Sequence, residues 1–305
     1  MIQINEEKNN ILYYNVDECV KFCQSIPDAK YSENIDYHIF WNVGLPFERK
    51  QTLPIKSFLC TQNLEKSKFN LWSNVDLTKN EYVKPFLDLI NVKIWNPIEE
   101  SKGTPLEGKT NFLITNDRLN YCAGDLFRVL VLHNYGGLYT DVDVVFLRDF
   151  GPILDQEFMY KWSYQKEMIN GAVMRMFKKS KLSYDLLNEM SKGDVIPGSL
   201  NWSTELYEKV RKYNKDWTIF PSGFFNTEWQ IFLSEQDRKN PELRDLMNFI
   251  MFPFKKNNLS NQLYDGVFSW HWHNGWNETI EEGSKWEILE SKFNNLIYEK
   301  FKIKI

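Results

Sequence analysis

The feature that most constrains this chain is a regular alternation of short apolar strands with helices. It is sharpest in residues 121–150, YCAGDLFRVLVLHNYGGLYTDVDVVFLRDF. The pattern predicts a long amphipathic helix from an N-cap near Asn116 to Tyr135, with Gly136 at the left-handed position that ends it. A short hydrophobic strand follows and carries Asp141 and Asp143. The run IDYHIFW, residues 35–41, is dense in aromatic and β-branched residues and reads as a strand ending in the loop Asn42-Val43-Gly44-Leu45-Pro46. Residues 57–63 close a helix, 69–73 and 92–95 read as strands, and helical material lies at 80–90. Residues 98–111 read as a mobile surface loop. Further strands are expected at 158–164, 169–176, 216–221 and 266–271, and helices at 181–192, 203–213 and 284–299. Such alternation implies βαβ units and an α/β fold, a mixed sheet covered by helices.

The 305 residues, 43% hydrophobic and 16% aromatic, supply ample core, and no repeat or long linker divides them. No run of about 18 apolar residues is present, which argues against a membrane span. The polar start MIQINEEKNN argues against a signal peptide or anchor. Cys19, Cys23, Cys60 and Cys122 lack a second cysteine pair to complete a zinc site and read as reduced thiols of a cytoplasmic protein. A net charge of −4 gives no general pull toward nucleic acid. The basic groups Arg175, Lys178, Lys179, Lys181 and Lys209, Arg211, Lys212, Lys215 read as solvated helix faces.

Chemistry concentrates at the acidic pair. Strand side chains alternate faces, so Asp141 and Asp143 are expected to point the same way among residues that favour burial. Two carboxylates there repel each other unless a cation joins them, and oxygen ligation suits Mg²⁺ or Mn²⁺ with positions open to phosphates. Asp125 and Arg128 lie three apart on the preceding helix and share one face.

The pattern Ala123-x-Asp125-x-x-Arg128, then Gly136-Gly137-x-Tyr139-x-Asp141-x-Asp143, resembles the sugar-binding region of the family 32 glycosyltransferases. It is also similar to the glucosylating domains of the large clostridial toxins. Gly124 departs from the common Ser. His38-Ile39-Phe40-Trp41 resembles the first-strand H-x-x-W, whose Trp stacks on uracil. FSWHWHNGWN, residues 268–277, resembles H-W-x-x-S-W, with Gly275 in place of Ser and Trp276 kept. Asn170-Gly171-Ala172 resembles the segment bordering the sugar pocket, and Pro221-Ser222-Gly223-Phe224-Phe225 an aromatic loop, after which Glu228 could touch an acceptor.

The resemblance implies a GT-A-type single domain with a mixed, mostly parallel central sheet flanked by helices. A Rossmann-like nucleotide-sugar half (35–150) would join an acceptor half (151–305), with 1–34 an accessory segment. It implies a metal-dependent glycosyltransferase using a UDP-sugar donor and Mn²⁺ or Mg²⁺, mostly with retention. The metal would be held by Asp141, Asp143 and His271 or His273, and Phe40, Trp41, Tyr139 and Trp276 would hold the nucleotide sugar. Asp125 and Arg128 would bind sugar hydroxyls. The acceptor would be a glycan, a lipid-linked group or a protein. Transfer to modified DNA bases is an alternative, as is a non-catalytic nucleotide-sugar or glycan-binding module.

Overall fold

The computed structural model describes residues 2, 4, 8, 11–13, 15–29, 31–42, 44–109, 121–162, 168–193, 202–227, 253–256 and 266–305. In chain order the helices are α1 (Val16–Ser25), α2 (Leu53–Thr61), α3 (Pro97–Ser101), α4 (Tyr121–Tyr135), α5 (Lys181–Met190), α6 (Thr204–Arg211) and α7 (Lys285–Phe301). The strands are β1 (Ile35–Trp41), β2 (Ser67–Ser73), β3 (Asn91–Ile94), β4 (Gly137–Thr140), β5 (Val144–Phe146), β6 (Phe158–Lys161), β7 (Ile169–Met176), β8 (Thr218–Phe220) and β9 (Ser269–His271).

Seven strands form one sheet in the order β3-β2-β1-β4-β7-β6-β8. The β2–β3, β1–β2, β1–β4 and β6–β8 pairs are parallel, and β4–β7 and β6–β7 are antiparallel. This is the mixed, mostly parallel sheet with flanking helices that the sequence implied. From β1 the chain first winds outward through β2 and β3, then returns to lay β4 on the other flank of β1. Such a reversal opens a crevice at the carboxyl ends of the two central strands, where open α/β sheets bind ligands. Phe40 and Trp41 end β1, and Asp141 follows β4 directly.

Glycine permits the central pairing. Gly137 has φ +104°, and a Cβ there would lie 2.1 Å from the Asp36 carbonyl oxygen on β1. Gly136 (φ +70°) ends α4, its N–H donating to Leu132 O at 2.9 Å. Buried His38 accepts from the Trp72 indole at Nδ1 (3.1 Å), so its Nε2–H is left to donate to Gly136 O at 3.0 Å. Burial holds this imidazole neutral, pushing it down to about 4. One side chain thereby joins β1, β2 and the start of β4.

Several elements differ from expectation. Helix α4 is not amphipathic in place: Leu126, Phe127, Val129, Leu130, Val131 and Leu132 are all buried. It is covered by the sheet on one side and by α3 and α5 on others, so it has no broad solvent face. Residues 97–109 are not a bare loop; Asn96 caps α3 by accepting from Ile98 N and Glu99 N, and turns follow. Residues 80–90 form turns around a 3₁₀ segment, Lys84–Phe86, where Pro85 leaves too little for a regular helix. Arg175 is not on a solvated face. It is buried in β7, paired with Glu33 at 2.8 Å and donating to the carbonyls of Leu154 and Gly137. The expected start of α4 near Asn116 lies outside the described residues. No described helix is long and apolar enough to cross a membrane.

Gly137→Ala should destabilise the fold by about 3 kcal/mol or more, combining left-handed strain with overpacking. Gly124→Ala, on the same helix-to-strand unit with nothing within 4 Å of its added Cβ, should gain up to about 1 kcal/mol. Urea melts of the two variants check this.

Candidate functional site

The chain leaves the main sheet immediately after β4. Asp141 N–H donates to Ala172 O at 2.8 Å, and Val144 N–H turns back to Asp141 O at 3.2 Å. The two aspartates therefore sit in a turn, not in a strand. The reason is topological: β5 pairs with β9 in a separate two-stranded sheet, so residues 141–143 must bridge two sheets. The carboxylates still converge. In the β5–β9 register His271 lies opposite Val144, which sets its imidazole beside Asp143.

Asp141, Asp143 and His271 offer ligand atoms all within 4.8 Å of one another. Asp143 and His271 are buried, whereas the Asp141 side chain is 27% exposed. His271 Nε2 lies 3.1 Å from Asp143 Oδ1, and Asn274 N–H donates to Asp143 Oδ2 at 2.7 Å. Burial works against the Asp143 charge, but His271 beside it outweighs that and holds the carboxyl at about 2. Burial likewise opposes charge on His271, and Asp143 reverses the balance and raises it. Behind the ring, Tyr160 Oη lies 3.4 Å from Nδ1.

The donor set fits a divalent cation. Two carboxylates and one imidazole suit Mn²⁺, and one donor on the solvent side leaves positions for phosphate oxygens. His273 is placed differently. Its ring stacks on His271 at 3.9 Å between centroids, and its Nε2 lies 2.7 Å from Asn226 Nδ2. Burial, then the neighbouring His271, pushes it well below the ordinary histidine range.

Asp125 and Arg128 pair at 2.6 Å, and the same guanidinium lies 3.8 Å from Asp141. Its carbon sits 5.3 Å from the centre of the Tyr139 ring, whose hydroxyl donates to Asp141 at 2.6 Å. Helix α4 thus aims its charged pair at the turn that holds the aspartates. All these groups line one cavity of about 700 Å³ with Phe40, Trp41, Asn170, Gly171 and Trp276.

Trp41 is more enclosed than a bare stacking platform. Its indole N–H donates to Leu45 O, and Phe47 and Trp276 meet it edge-on, at 6.3 and 5.0 Å. Phe40 points to the other face of β1 and stacks on Phe127 at 4.6 Å. Phe224 and Phe225 are buried in an aromatic stack with Phe220, Phe158 and Phe268, behind the site and not in its mouth. Glu228 lies outside the described residues.

Sequence reasoning missed Tyr160 and Asn226, which carry no local signal. It also missed the backbone role of Asn274. The Asn274-Gly275 pair did carry a signal, since such pairs favour the left-handed turn that points an N–H inward, and φ is +70° and +80° there.

The Asp125–Arg128 pair is buried, so removing one partner leaves an uncompensated charge. Arg128→Met should cost about 3 kcal/mol, and the double variant Arg128→Met/Asp125→Leu should recover part of it. Denaturant melts distinguish this coupling from simple additivity.

Residues 76–160 match the family described as the glycosyltransferase sugar-binding region containing the DXD motif. No curated protein sequence matches the chain. Solved structures that align with it include the PaToxG glycosyltransferase, at 13% identity over 80% of this chain and 95% of that one, with a TM-score of 0.46. Another is the apo glycosyltransferase GlyE of Streptococcus pneumoniae TIGR4, at 13% identity over 88% and 63%, with a TM-score of 0.47. The matched stretch contains the acidic pair and the helix leading to it, so the chain carries the sugar-binding region found in DXD-containing glycosyltransferases.

Proposed function

We propose that the enzyme transfers a sugar from a UDP-sugar to a glycan, lipid-linked or protein acceptor, with retention and with Mn²⁺ bound. The observation that carries this reading is the convergence of Asp141, Asp143 and His271 in a cavity whose wall also holds Trp41 and Trp276. In this reading residues 35–150 serve the donor, residues 151–305 the acceptor, and 1–34 is accessory. Four free thiols support a reducing, cytoplasmic setting.

Asp141, Asp143 and His271 would hold the cation, which when bound supplies positive charge beside the leaving diphosphate. To serve as a ligand, His271 would have to be neutral at the nitrogen that faces Asp143. Tyr139 fixes Asp141 through its 2.6 Å hydrogen bond, and Asn274 N–H fixes Asp143. Asp125 and Arg128 bind sugar hydroxyls, with Arg128 also near enough to Asp141 to share its charge. Trp41 and Trp276 present apolar edges to the uracil. His273 supports His271 by stacking and does not ligate.

Retention is favoured by where the carboxylates are. Those of the described residues that line the cavity are Asp125, Asp141 and Asp143, and each is already engaged by Arg128, Tyr139 or His271. An inverting enzyme needs a separate base on the far face of the sugar. A DNA acceptor fits less well. Lys181 and Lys209 pair with Asp185 and Glu189, and Arg211 lies over Trp217 while donating to its carbonyl.

Asp143→Asn should abolish Mn²⁺-dependent UDP-sugar hydrolysis and transfer, and should lower the melting temperature by a few degrees while keeping a cooperative transition, because the buried carboxylate that faces His271 loses its charge. Retained activity would remove Asp143 from the metal set. Trp41→Ala should weaken UDP binding by up to about tenfold in calorimetry, the scale of a lost apolar edge contact and less than a full base stack. Proton NMR of the product linkage should show the donor's anomeric configuration.

A further inference from the structure

Lys50 is a buried cation with an unusual set of partners. It opens the 3₁₀ turn Lys50–Thr52 and is 7% exposed. Its ammonium donates to the carbonyl oxygens of Gly275 at 2.6 Å, Trp276 at 3.0 Å and Glu278. Three donors meet three acceptors, so the hydrogen-bonding capacity of the group is spent on one loop. Among the described residues no carboxylate pairs with it. The aromatic face of Phe254 lies 3.8 Å away on another side. Burial pushes this lysine down to about 8, with Glu278 and Glu48 acting in the opposite direction.

Burying an ammonium among carbonyls carries a desolvation cost that an apolar side chain of the same length avoids. The arrangement is explained by what it does to the loop. Residues His273, Asn274 and Gly275 are left-handed in succession, at φ 56°, 70° and 80°. Two of them are not glycine, so the backbone there is strained and needs outside support. Lys50 supplies it by gathering carbonyls that would otherwise turn to water. Its own base is firm: Arg49 and Lys56, on either side, both bind Glu290 of α7.

The loop held this way delivers two groups to the site. Asn274 N–H reaches Asp143, and the Asn274 side chain accepts from the Trp276 indole at 3.1 Å, setting Trp276 edge-on to Trp41. We propose that Lys50 is a positioning residue, clamping residues 273–278 as a wall of the donor cavity and so holding Asp143 and Trp276 ready for the nucleotide. What the loop does for the donor rests on the nucleotide-sugar reading; the clamp itself does not.

Two measurements separate the claims. Acrylamide quenching of intrinsic tryptophan emission reads the loop without any ligand. Lys50→Met should raise quenching relative to the parent, and Trp276→Phe in both backgrounds should remove most of the difference. Calorimetric titration with UDP and Mn²⁺ should show about a tenfold weaker Kd for Lys50→Met. Lys50→Arg, which keeps charge and donors, should recover part of both effects, and Lys50→Gln less. Should Lys50→Met fail to fold, the ranking Lys, Arg, Gln carries the same test. Unchanged quenching and unchanged Kd across these variants would overturn the clamp. A parent protein that binds no UDP, with the quenching difference intact, would instead overturn the nucleotide-sugar reading and leave the clamp standing.

Discussion

The close approach of β4 to β1 at Gly137 is the contact on which the remaining architecture rests. A side chain there would occupy the space of the Asp36 carbonyl oxygen, so only glycine lets the two backbones pair. The pairing puts β4 on the opposite flank of β1 from β2, creating the strand-order reversal and its crevice. It sets Tyr139 beside His38 in register and brings Asp141 out at the level where β1 ends in Trp41. Moving β4 by one residue would turn Tyr139 and its neighbours to the other face of the sheet, away from Arg128 on α4. The site is therefore a consequence of where one strand can lie.

How far the sequence foretold this depends on whether the signal was local. β1 and β7 were legible to the residue, because dense β-branched and aromatic runs ending in polar loops leave little choice. Helix α4 was legible as a helix, but its packing was not. Periodicity reports apolar positions and cannot say that α3 and α5 cover what would otherwise be its polar face. The turn at 141–143 was misread as strand for a related reason. Val142, Val144, Val145 and Phe146 look like one apolar run, yet they divide between a bridge and a second sheet whose other strand is more than a hundred residues away. The convergence of the carboxylates survived the error, since a tight turn and a strand both bring residues two apart together. His38 illustrates the opposite case. The motif that contains it was read for Trp41 alone, while its imidazole ties three strands together.

The electrostatics of the site explain how it can fold before it binds anything. Asp125, Asp141 and Asp143 bring three negative charges to a partly buried volume, which would be costly if each stood alone. Arg128 spans Asp125 and Asp141, and His271, whose hold on a proton Asp143 strengthens, faces Asp143. Hydrogen bonds from Tyr139 and Asn274 satisfy further lone pairs. Arg128, even with a protonated His271, leaves the three carboxylates with negative charge in excess. That excess lies at Asp141, the most exposed of the three and the farthest from its cation, at 3.8 Å.

Placing the residual charge at the mouth matters for binding. A divalent cation approaching from solvent would meet Asp141, oriented by Tyr139 but only loosely neutralised, with Asp143 and His271 behind it. The groups behind are held by elements distant in sequence: Asp143 by the 273–278 loop, His271 by β5 and Tyr160. Ligands supported from several independent elements keep their geometry when one of them moves. The same logic gives the Lys50 loop its weight, because it joins the Asp143 side of the cavity to its aromatic wall. A site built this way relies on preformed groups at a rigid sheet edge, and places its left-handed non-glycine residues, His273 and Asn274, together in one loop.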